Sequence, residues 1–337
     1  MAERQRVTFE QLEAEFQRVL RAAGFSESRS SLMARMLAES TRDGVHSHGV
    51  NRFPTFIESV RNGTVHVDAE PAKLHGFGGF ERWDGRRGAG MINANLSMAR
   101  AIALGSEHGI GCVALRNTNH WMRGGTYGLQ AADADCIGIC WSNTMALMPP
   151  WGGRQVKVGN NPLILAIPRA EGPLLFDGSM SQFSMGRVLN AARAGEQLPA
   201  DGGYDDRGRP TRDAKQIAHT GQLLPMGLWK GSGLAIMLDA MGAMLADGKT
   251  TPEITALPHE TDMTQVFITA DLARVAPDEA ARRAIVERLL ADLNATEPVR
   301  DGERVMAPGQ RMAERRRRAN SEGIFVDAEI WRQVQAL

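Results

Sequence analysis

Apolar residues near the start of the chain recur at helical spacing, and the pattern predicts an amphipathic helix over residues 8–23. Thr8 and Gln11 stand three residues apart, the spacing of a capping box at a helix start. A second helix is predicted over residues 26–42, ending before Gly44. The chain therefore opens with helices whose apolar faces need a partner.

From about residue 74 the pattern changes to short apolar runs separated by glycines, which is typical of strands. Helical patterns occur at 96–108 and 125–134, so strands alternate with helices as in a layered α/β domain. The predicted strands cover residues 111–115, 136–141, 163–168, 174–177 and 265–269.

The second half of the chain carries three longer features. Residues 197–221 are polar and rich in glycine, which predicts a long surface excursion. Residues 231–246 are apolar over about 16 positions, fewer than the roughly 20 that span a bilayer, so we expect a buried helix there. Pro277 is predicted to start an amphipathic helix with Ile285 and Leu289 on its apolar face.

These patterns predict an α/β fold with three segments. Residues 1–72 are predicted as a helical segment, residues 73–270 as a central α/β domain, and residues 271–337 as a helical segment that packs with the first. No repeat of 20 to 50 residues is visible along the chain.

The composition of the chain argues against two classes of partner. The 337 residues carry 39 basic and 39 acidic side chains, so no net field favours nucleic acid or an anionic membrane. The expected partner is a small molecule. Three cysteines without a CxxC pair, and a charged N-terminus without an apolar leader, lead us to expect a cytoplasmic protein.

Two familiar nucleotide motifs are missing. No G-x-G-x-x-G stands between a strand and a helix, and no P-loop occurs. The glycines at 76–79 have no third glycine and no helical pattern after them, which is typical of a plain turn. A standard Rossmann nucleotide site is therefore not expected.

The segment His46-Ser47-His48 is the first candidate for chemistry. His48 can act as an acid or base near neutral pH, and Arg52 can hold a carboxylate through its planar fork. Two alternatives remain open at this point. The histidines could be ordinary loop residues, or His46 and His48 could join His120 as nitrogen ligands of a metal ion.

Further candidates lie beside predicted strands and helices. Residues 117–125 follow a strand and contain Asn119, His120 and Arg123, which suit an anion, although a capped turn explains them equally. Asp177 ends another strand and could meet ribose hydroxyls. Lys230 precedes the predicted buried helix and could meet a pyrophosphate. The arginines at 315–318 are interpreted as a solvated helix face.

Five segments together resemble the malate/L-lactate dehydrogenase-like oxidoreductases, and the similarity runs over nearly the whole chain. The matching segments are SHGVNRFP (47–54), NHWMRGG (119–125), MPPWGG (148–153), GNNPLILAIP (159–168) and LPMGLWKGSG (224–233). The resemblance implies a non-Rossmann layered α/β core with packed N- and C-terminal helices, a homodimer, and reduction of a 2-keto acid with NADH or NADPH. Within the family, NHWMRGG favours a branch acting on a keto sugar acid.

The resemblance also implies roles for individual residues. His48, Arg52 and His120 are the expected catalytic residues, and Ser47, Asn119 and Arg123 are expected to bind substrate. No metal ion is expected. The expected cofactor-binding residues are Pro173, Leu174, Leu175, Phe176, Asp177, Gly178, Ser179, Trp229, Lys230, Gly309, Gln310 and Arg311.

One position departs from the family pattern. After Pro308-Gly309 the family usually has His or Glu with an acid nearby, whereas this chain has Gln310 and Arg311. NADH is the expected cofactor, but Arg311 could accept the 2′-phosphate of NADPH. Malate, lactate, ureidoglycolate and cyclic imino acids remain alternative substrates, and a metal-dependent hydrolase or a sugar-acid binding protein are alternatives from other classes.

Overall fold

The computed structural model describes residues 3–300 and 302–337. Its helices are α1 (Phe9–Ala22), α2 (Glu27–Arg42), α3 (Phe53–Arg61), α4 (Gly90–His108), α5 (Gly125–Asp133), α6 (Met185–Ala194), α7 (Ala214–Thr220), α8 (Trp229–Ala246), α9 (Thr251–Thr255), α10 (Leu272–Val275), α11 (Glu279–Asn294), α12 (Gln310–Glu322) and α13 (Ala328–Gln335). His46–His48 form a short 3-10 turn.

The strands are β1 (Arg4–Val7), β2 (Ala72–Phe77), β3 (Phe80–Asp84), β4 (Ile110–Thr118), β5 (Cys136–Ser142), β6 (Ala146–Met148), β7 (Val158–Gly159), β8 (Leu163–Ile167), β9 (Leu174–Gly178), β10 (Gly203–Tyr204), β11 (Pro210–Thr211), β12 (Met263–Asp271) and β13 (Ile324–Asp327). The strands predicted at 111–115, 136–141, 163–168, 174–177 and 265–269 are all present.

The central sheet has seven strands in the order β2-β3-β4-β12-β5-β8-β9. Only β3 and β4 pair in parallel, and the other neighbours are antiparallel. A Rossmann sheet is mostly parallel, so the predicted non-Rossmann α/β fold is confirmed. Because β12 lies between β4 and β5 and opposes both, the ends of β4 and β5 meet the start of β12 at one edge. The start of β8 and the end of β9 reach the same edge, called here the site edge.

Hydrophobic clusters cover both faces of this sheet. One cluster packs α4, α5 and the N-terminal helices against the sheet through residues such as Phe267 and Val113. The other packs α8 on the opposite face, where Trp141 Nε1 donates a hydrogen bond of 3.0 Å to Leu238 O. The sheet is therefore the middle layer of the molecule, which fixes the position of the site edge.

The two ends of the chain pack together, as predicted. β1 pairs with β13 in antiparallel register from Arg4–Asp327 to Val7–Ile324. The capping box of α1 is also confirmed, since Gln11 N donates to Thr8 Oγ1 at 3.1 Å and Thr8 N donates to Gln11 Oε1 at 2.9 Å. The division into domains at residues 72 and 270 stays a prediction.

The helix predicted to be buried at 231–246 is instead exposed along one side. In α8, Leu234, Met237, Met241 and Met244 are 39, 56, 38 and 78% exposed. These residues lie at i, i+3, i+7 and i+10, so they form one stripe. α11 also departs from its prediction, because Ile285 and Leu289 are exposed and Leu290 is buried. Continuous apolar sequence does not by itself tell which face contacts the core.

Two loop predictions are corrected as well. Residues 197–221 contain β10, β11 and α7, and Leu198 and Ile217 are buried. The arginines at 315–318 are not all solvated, since Arg316 binds a fully buried carboxylate. The turn at 76–79 is confirmed as the connection between β2 and β3. Across the described residues, the structure has no helix long and apolar enough to cross a membrane.

Candidate active site

A cavity of about 850 Å³ opens at the site edge of the sheet. Its wall combines the loops that follow β4, β5 and β9 with the loop between α2 and α3 and one side of α6. Gly186 of α6 packs directly on this loop, because a Cβ at that position would lie 2.6 Å from Ser47 Cβ. His48, Arg52 and His120 all line the cavity, so the tertiary structure brings the three predicted catalytic residues together.

The rings of His48 and His120 stack with centroids 5.6 Å apart and an interplanar angle of 12°. His48 Nδ1 lies 3.0 Å from Ser47 Oγ. His120 Nδ1 accepts a hydrogen bond of 3.0 Å from the Met122 backbone N–H, so its proton belongs on Nε2. Met122 has a φ of 62°, which turns its amide toward the ring. His120 therefore has a defined neutral tautomer with Nε2–H as a donor.

Burial and neighbouring charge lower the pKa of both histidines. For His48, burial lowers the pKa, Asp177 raises it, and the charges of Arg52 and Arg123 lower it further. The pKa of His120 lies well below 6.5 because of burial, Arg52 and His48. Both pKa values therefore lie below the ordinary histidine value of about 6.5. Both rings are neutral at pH 7 when no anion is bound beside Arg52.

Arg52 is the N-cap residue of α3, and Glu260 lies beside it on the cavity wall. Arg52 Nη2 and Glu260 Oε2 are 3.8 Å apart, an ion pair too long for a hydrogen bond. The guanidinium thus faces the cavity with its donors not engaged by that carboxylate. His48 ends a 3-10 turn, and Arg52 follows it at the start of α3.

Arg123 is 4% exposed and belongs to a buried ion-pair network around Asp43. Arg123 Nη1 is 2.8 Å from Asp43 Oδ2, and Arg316 Nη2 is 2.6 Å from the same oxygen. Burial raises the pKa of Asp43, but the hydrogen bonds and charges of Arg316 and Arg123 outweigh it and hold that pKa below its usual value. Arg123 Nε is buried without a hydrogen-bond partner among the described residues. Arg123 therefore lines the cavity while its Nη1 is held by Asp43.

Asn119 does not line the cavity. Its Nδ2 donates to Arg87 O at 2.8 Å and Gly88 O at 3.0 Å, and its Oδ1 accepts from Thr261 Oγ1 at 2.9 Å. The structure therefore gives Asn119 a role in holding the loop before β12, in place of the substrate contact expected from the sequence.

The segments expected to hold the cofactor converge from distant parts of the chain. Leu175 N donates to Pro308 O at 3.3 Å, which joins β9 to the start of α12. Gly309 has a φ of 92°, and a Cβ there would lie 2.8 Å from Pro173 O. Only glycine permits this approach. Leu175, Phe176, Asp177, Gly178, Ser179, Gly309 and Arg311 line the cavity.

A second cavity of about 540 Å³ continues from the first through shared wall residues, including Arg123 and Gly309. Pro173, Leu174 and Gln310 line this second cavity. Trp229 and Lys230 line neither, and Trp229 is 64% exposed at the start of α8. The structure thus brings most of the expected cofactor residues to two adjacent cavities and leaves these two outside them.

Asp177 shows a contact that the sequence did not indicate. Its Oδ2 accepts a hydrogen bond of 2.9 Å from Gly125 N at the start of α5, and its charge acts on His48. The third histidine of the metal alternative, His46, is absent from the cavity wall. Within residues 3–300 and 302–337, no group of three or more His, Cys, Asp and Glu side chains is placed to hold a metal ion.

Sequence reasoning missed several polar residues of the cavity. Asp43 directly follows the predicted second helix and Glu260 lies in a loop, and neither belongs to a motif. Asn51 Nδ2 donates to Asn190 Oδ1 at 3.4 Å, while Asn51 Oδ1 is buried with no partner among the described residues. Asn51 falls inside the SHGVNRFP segment, and that membership was the one available signal.

Comparison with known proteins gives consistent matches. The family profile described as malate/L-lactate dehydrogenase matches residues 7–335. The chain is 44% identical over 334 residues to the 2,3-diketo-L-gulonate reductase of Citrobacter koseri, covering 98% of this chain and 100% of that protein.

Solved structures give the same picture of the fold. The sulfolactate dehydrogenase of Methanocaldococcus jannaschii superposes with a TM-score of 0.87 at 25% identity, covering 98% of this chain and 96% of that one. The Δ1-piperideine-2-carboxylate reductase of Pseudomonas syringae superposes with a TM-score of 0.86 at 28% identity, covering 98% and 99%.

Proposed function

Because the chain belongs to the malate/L-lactate dehydrogenase family and is an oxidoreductase acting on CH–OH groups, we propose that it reduces 2,3-diketo-L-gulonate to 3-dehydro-L-gulonate with NADH. The observation that carries this proposal is the meeting of Arg52, His48 and His120 in one cavity. The reductase from Citrobacter koseri, similar over its full length, supports the substrate.

Arg52 binds the substrate carboxylate in this proposal. A guanidinium fork grips a carboxylate through two parallel hydrogen bonds, and this fixes the direction of the neighbouring carbonyl. His120 donates from Nε2 to the carbonyl oxygen, because its Nδ1 is already bonded to the Met122 amide. Asn51 Oδ1, which has no partner among the described residues, accepts a hydroxyl of the sugar chain.

His48 supplies the proton that the carbonyl oxygen gains on reduction. Its low pKa in the free protein follows from burial, partly opposed by Asp177, and from the charges of Arg52 and Arg123. A bound substrate carboxylate places a negative charge beside Arg52 and so raises that pKa. Binding of the substrate is therefore coupled to protonation of His48, so that His48 carries its proton when the carbonyl is reduced.

The nicotinamide cofactor supplies the hydride. Residues 173–179 and 309–311 hold it, and the fit is supported by the close approach of Gly309 to Pro173 and by the orphaned Arg123 Nε between the two cavities. Trp229 and Lys230 remain proposed contacts. NADH is the proposed cofactor, and Arg311 on the cavity wall is the residue that would favour NADPH.

The proposal is tested by the loss of reduced-nicotinamide absorbance with purified protein, NADH or NADPH, and 2,3-diketo-L-gulonate beside pyruvate and oxaloacetate. Consumption with diketogulonate is expected. Consumption only with the small keto acids would keep the chemistry and overturn the substrate. Cyclic imino acids are tested in the same direction, and malate, lactate and ureidoglycolate in the oxidative direction with NAD+ or NADP+.

His48→Ala is expected to lower kcat by roughly 100- to 10,000-fold, because it removes a positioned general acid. Cofactor binding, followed by fluorescence of the bound nicotinamide, should stay unchanged. His75→Ala on the exposed strand β2 serves as the matched control. Unchanged turnover of the His48 variant would remove His48 from the mechanism.

We further propose that the protein is a cytoplasmic homodimer. The resemblance implies this assembly, and the exposed stripe of Leu234, Met237, Met241 and Met244 on α8 offers an apolar surface for a second copy. A stripe of this kind is costly to leave in water, which supports an interface at this face.

A further inference from the structure

Glu260 is the acidic residue of the cavity that lies nearest to the proposed carboxylate site. Its Oε2 is 3.8 Å from Arg52 Nη2, and its side chain is 18% exposed. Arg52 is also the cation that acts on both His48 and His120. Glu260 therefore lines the cavity beside the place where the carboxylate of a substrate would lie on Arg52.

The carboxylate of Glu260 is held in place from several sides. Its Oε1 accepts a hydrogen bond of 3.2 Å from Met145 N. The next residue, Thr261, donates to Asn119 Oδ1 at 2.9 Å. Asp262 then accepts two hydrogen bonds from Arg87, at 2.6 and 2.7 Å. The loop before β12 is thus fixed, and a fixed carboxylate discriminates between ligands better than a mobile one.

The other acids of the cavity are already engaged. Asp43 is neutralised by Arg123 and Arg316, and Asp177 accepts the Gly125 amide at the start of α5. Glu260 accepts the Met145 amide at Oε1, and its contact with a cation is the long one to Arg52, the same guanidinium that a substrate would use. Its negative charge therefore lies beside the proposed carboxylate site.

Resting on the function proposed above, we propose that Glu260 is a specificity residue that favours keto acids with one carboxylate and a hydroxylated chain. A hydroxyl near Glu260 donates a charge-assisted hydrogen bond to the carboxylate. A second carboxylate at the same place meets a like charge in a site with restricted water.

The test is Glu260→Gln, which removes the charge and keeps an oxygen to accept the Met145 amide. With this variant, kcat/KM for oxaloacetate should rise at least about 10-fold relative to 2,3-diketo-L-gulonate, or about 1.4 kcal/mol. Pyruvate has neither a second carboxylate nor a hydroxyl but shares the carboxylate at Arg52, so the ratio of kcat/KM for oxaloacetate to that for pyruvate should rise as well. Glu107→Gln at the exposed end of α4 is the matched control.

An equal fall for all three substrates would mean that Glu260 only orients the loop or Arg52, and would overturn the proposal. An unchanged ratio would overturn it too. Calorimetric binding of tartronate and L-gulonate to wild type and to Glu260→Gln separates this inference from the function, because neither titration needs turnover. Inactivity of the wild type with every keto acid would refute the proposed function, whereas an unaltered tartronate-to-gulonate preference in the variant would refute the role of Glu260.

Discussion

At the scale of single residues, the depressed pKa of His48 has a measurable consequence. Burial lowers this pKa, Asp177 partly opposes the effect, and Arg52 and Arg123 add to it. A general acid must be protonated, so kcat/KM for reduction should be constant at low pH and fall as pH rises through a pKa below 6.5. Oxidation of the hydroxy acid needs the neutral ring of His48, so kcat/KM for oxidation should instead rise with pH through the same pKa.

The pH dependence of kcat/KM reports groups of the free enzyme and its substrate, so the measurement is initial rates in both directions over a range of pH. His48→Gln should abolish the fall of kcat/KM with rising pH, and His75→Gln should retain it. If kcat/KM for reduction stayed constant up to a pH above the ordinary histidine pKa of about 6.5, the fall could not be assigned to His48.

At the scale of elements, the Asp43 network joins α2, the loop before α5, and α12. Asp43→Asn leaves Arg123 buried without a neutralising charge, and breaking a buried pair in this way costs about 3–5 kcal/mol of the free energy of unfolding. The measurement is the urea midpoint of unfolding. Glu322→Gln, which removes the exposed i,i+4 pair with Arg318, should leave the midpoint nearly unchanged because solvent screens that pair.

The same network predicts how stability depends on acid. The pKa of Asp43 is lower in the folded state than the unfolded value of about 3.9, so its contribution is complete above that value and is lost as pH falls through the folded pKa. Asp43→Asn should weaken this loss on acidification. An equal acid dependence in wild type and variant would show that other carboxylates dominate it.

At the scale of the whole molecule, the exposed stripe of α8 bears on assembly. Met237→Glu places a charge in the middle of that stripe, and a charge at the centre of an apolar interface is strongly unfavourable. The molar mass from light scattering after gel filtration should fall from that of a dimer to that of a monomer. Val299→Glu, at a fully exposed apolar residue outside α8, is the control. A dimer that survives Met237→Glu would place the interface elsewhere.

Most of the elements were predictable from local pattern. The capping box of Thr8 and Gln11, the strand at β5 and the turn between β2 and β3 each depend on neighbours in sequence, so their signals are local. The burial of α8 was not predictable in the same way. A helix that is apolar all round has no polar side to mark solvent, and the exposed side became visible only when the other was packed on the sheet.

The sequence by itself determined the α/β class, the family, and the identity of His48, Arg52 and His120 as candidates, because motifs and periodicity are local properties. The tertiary structure alone decided which residues share the cavity. It brought Glu260 beside Arg52, Arg316 onto Asp43, and Gly309 against Pro173, and it turned Asn119 away. Contacts of this range depend on strand order and on which helix face is packed, and these follow from burial of the whole core rather than from any short segment.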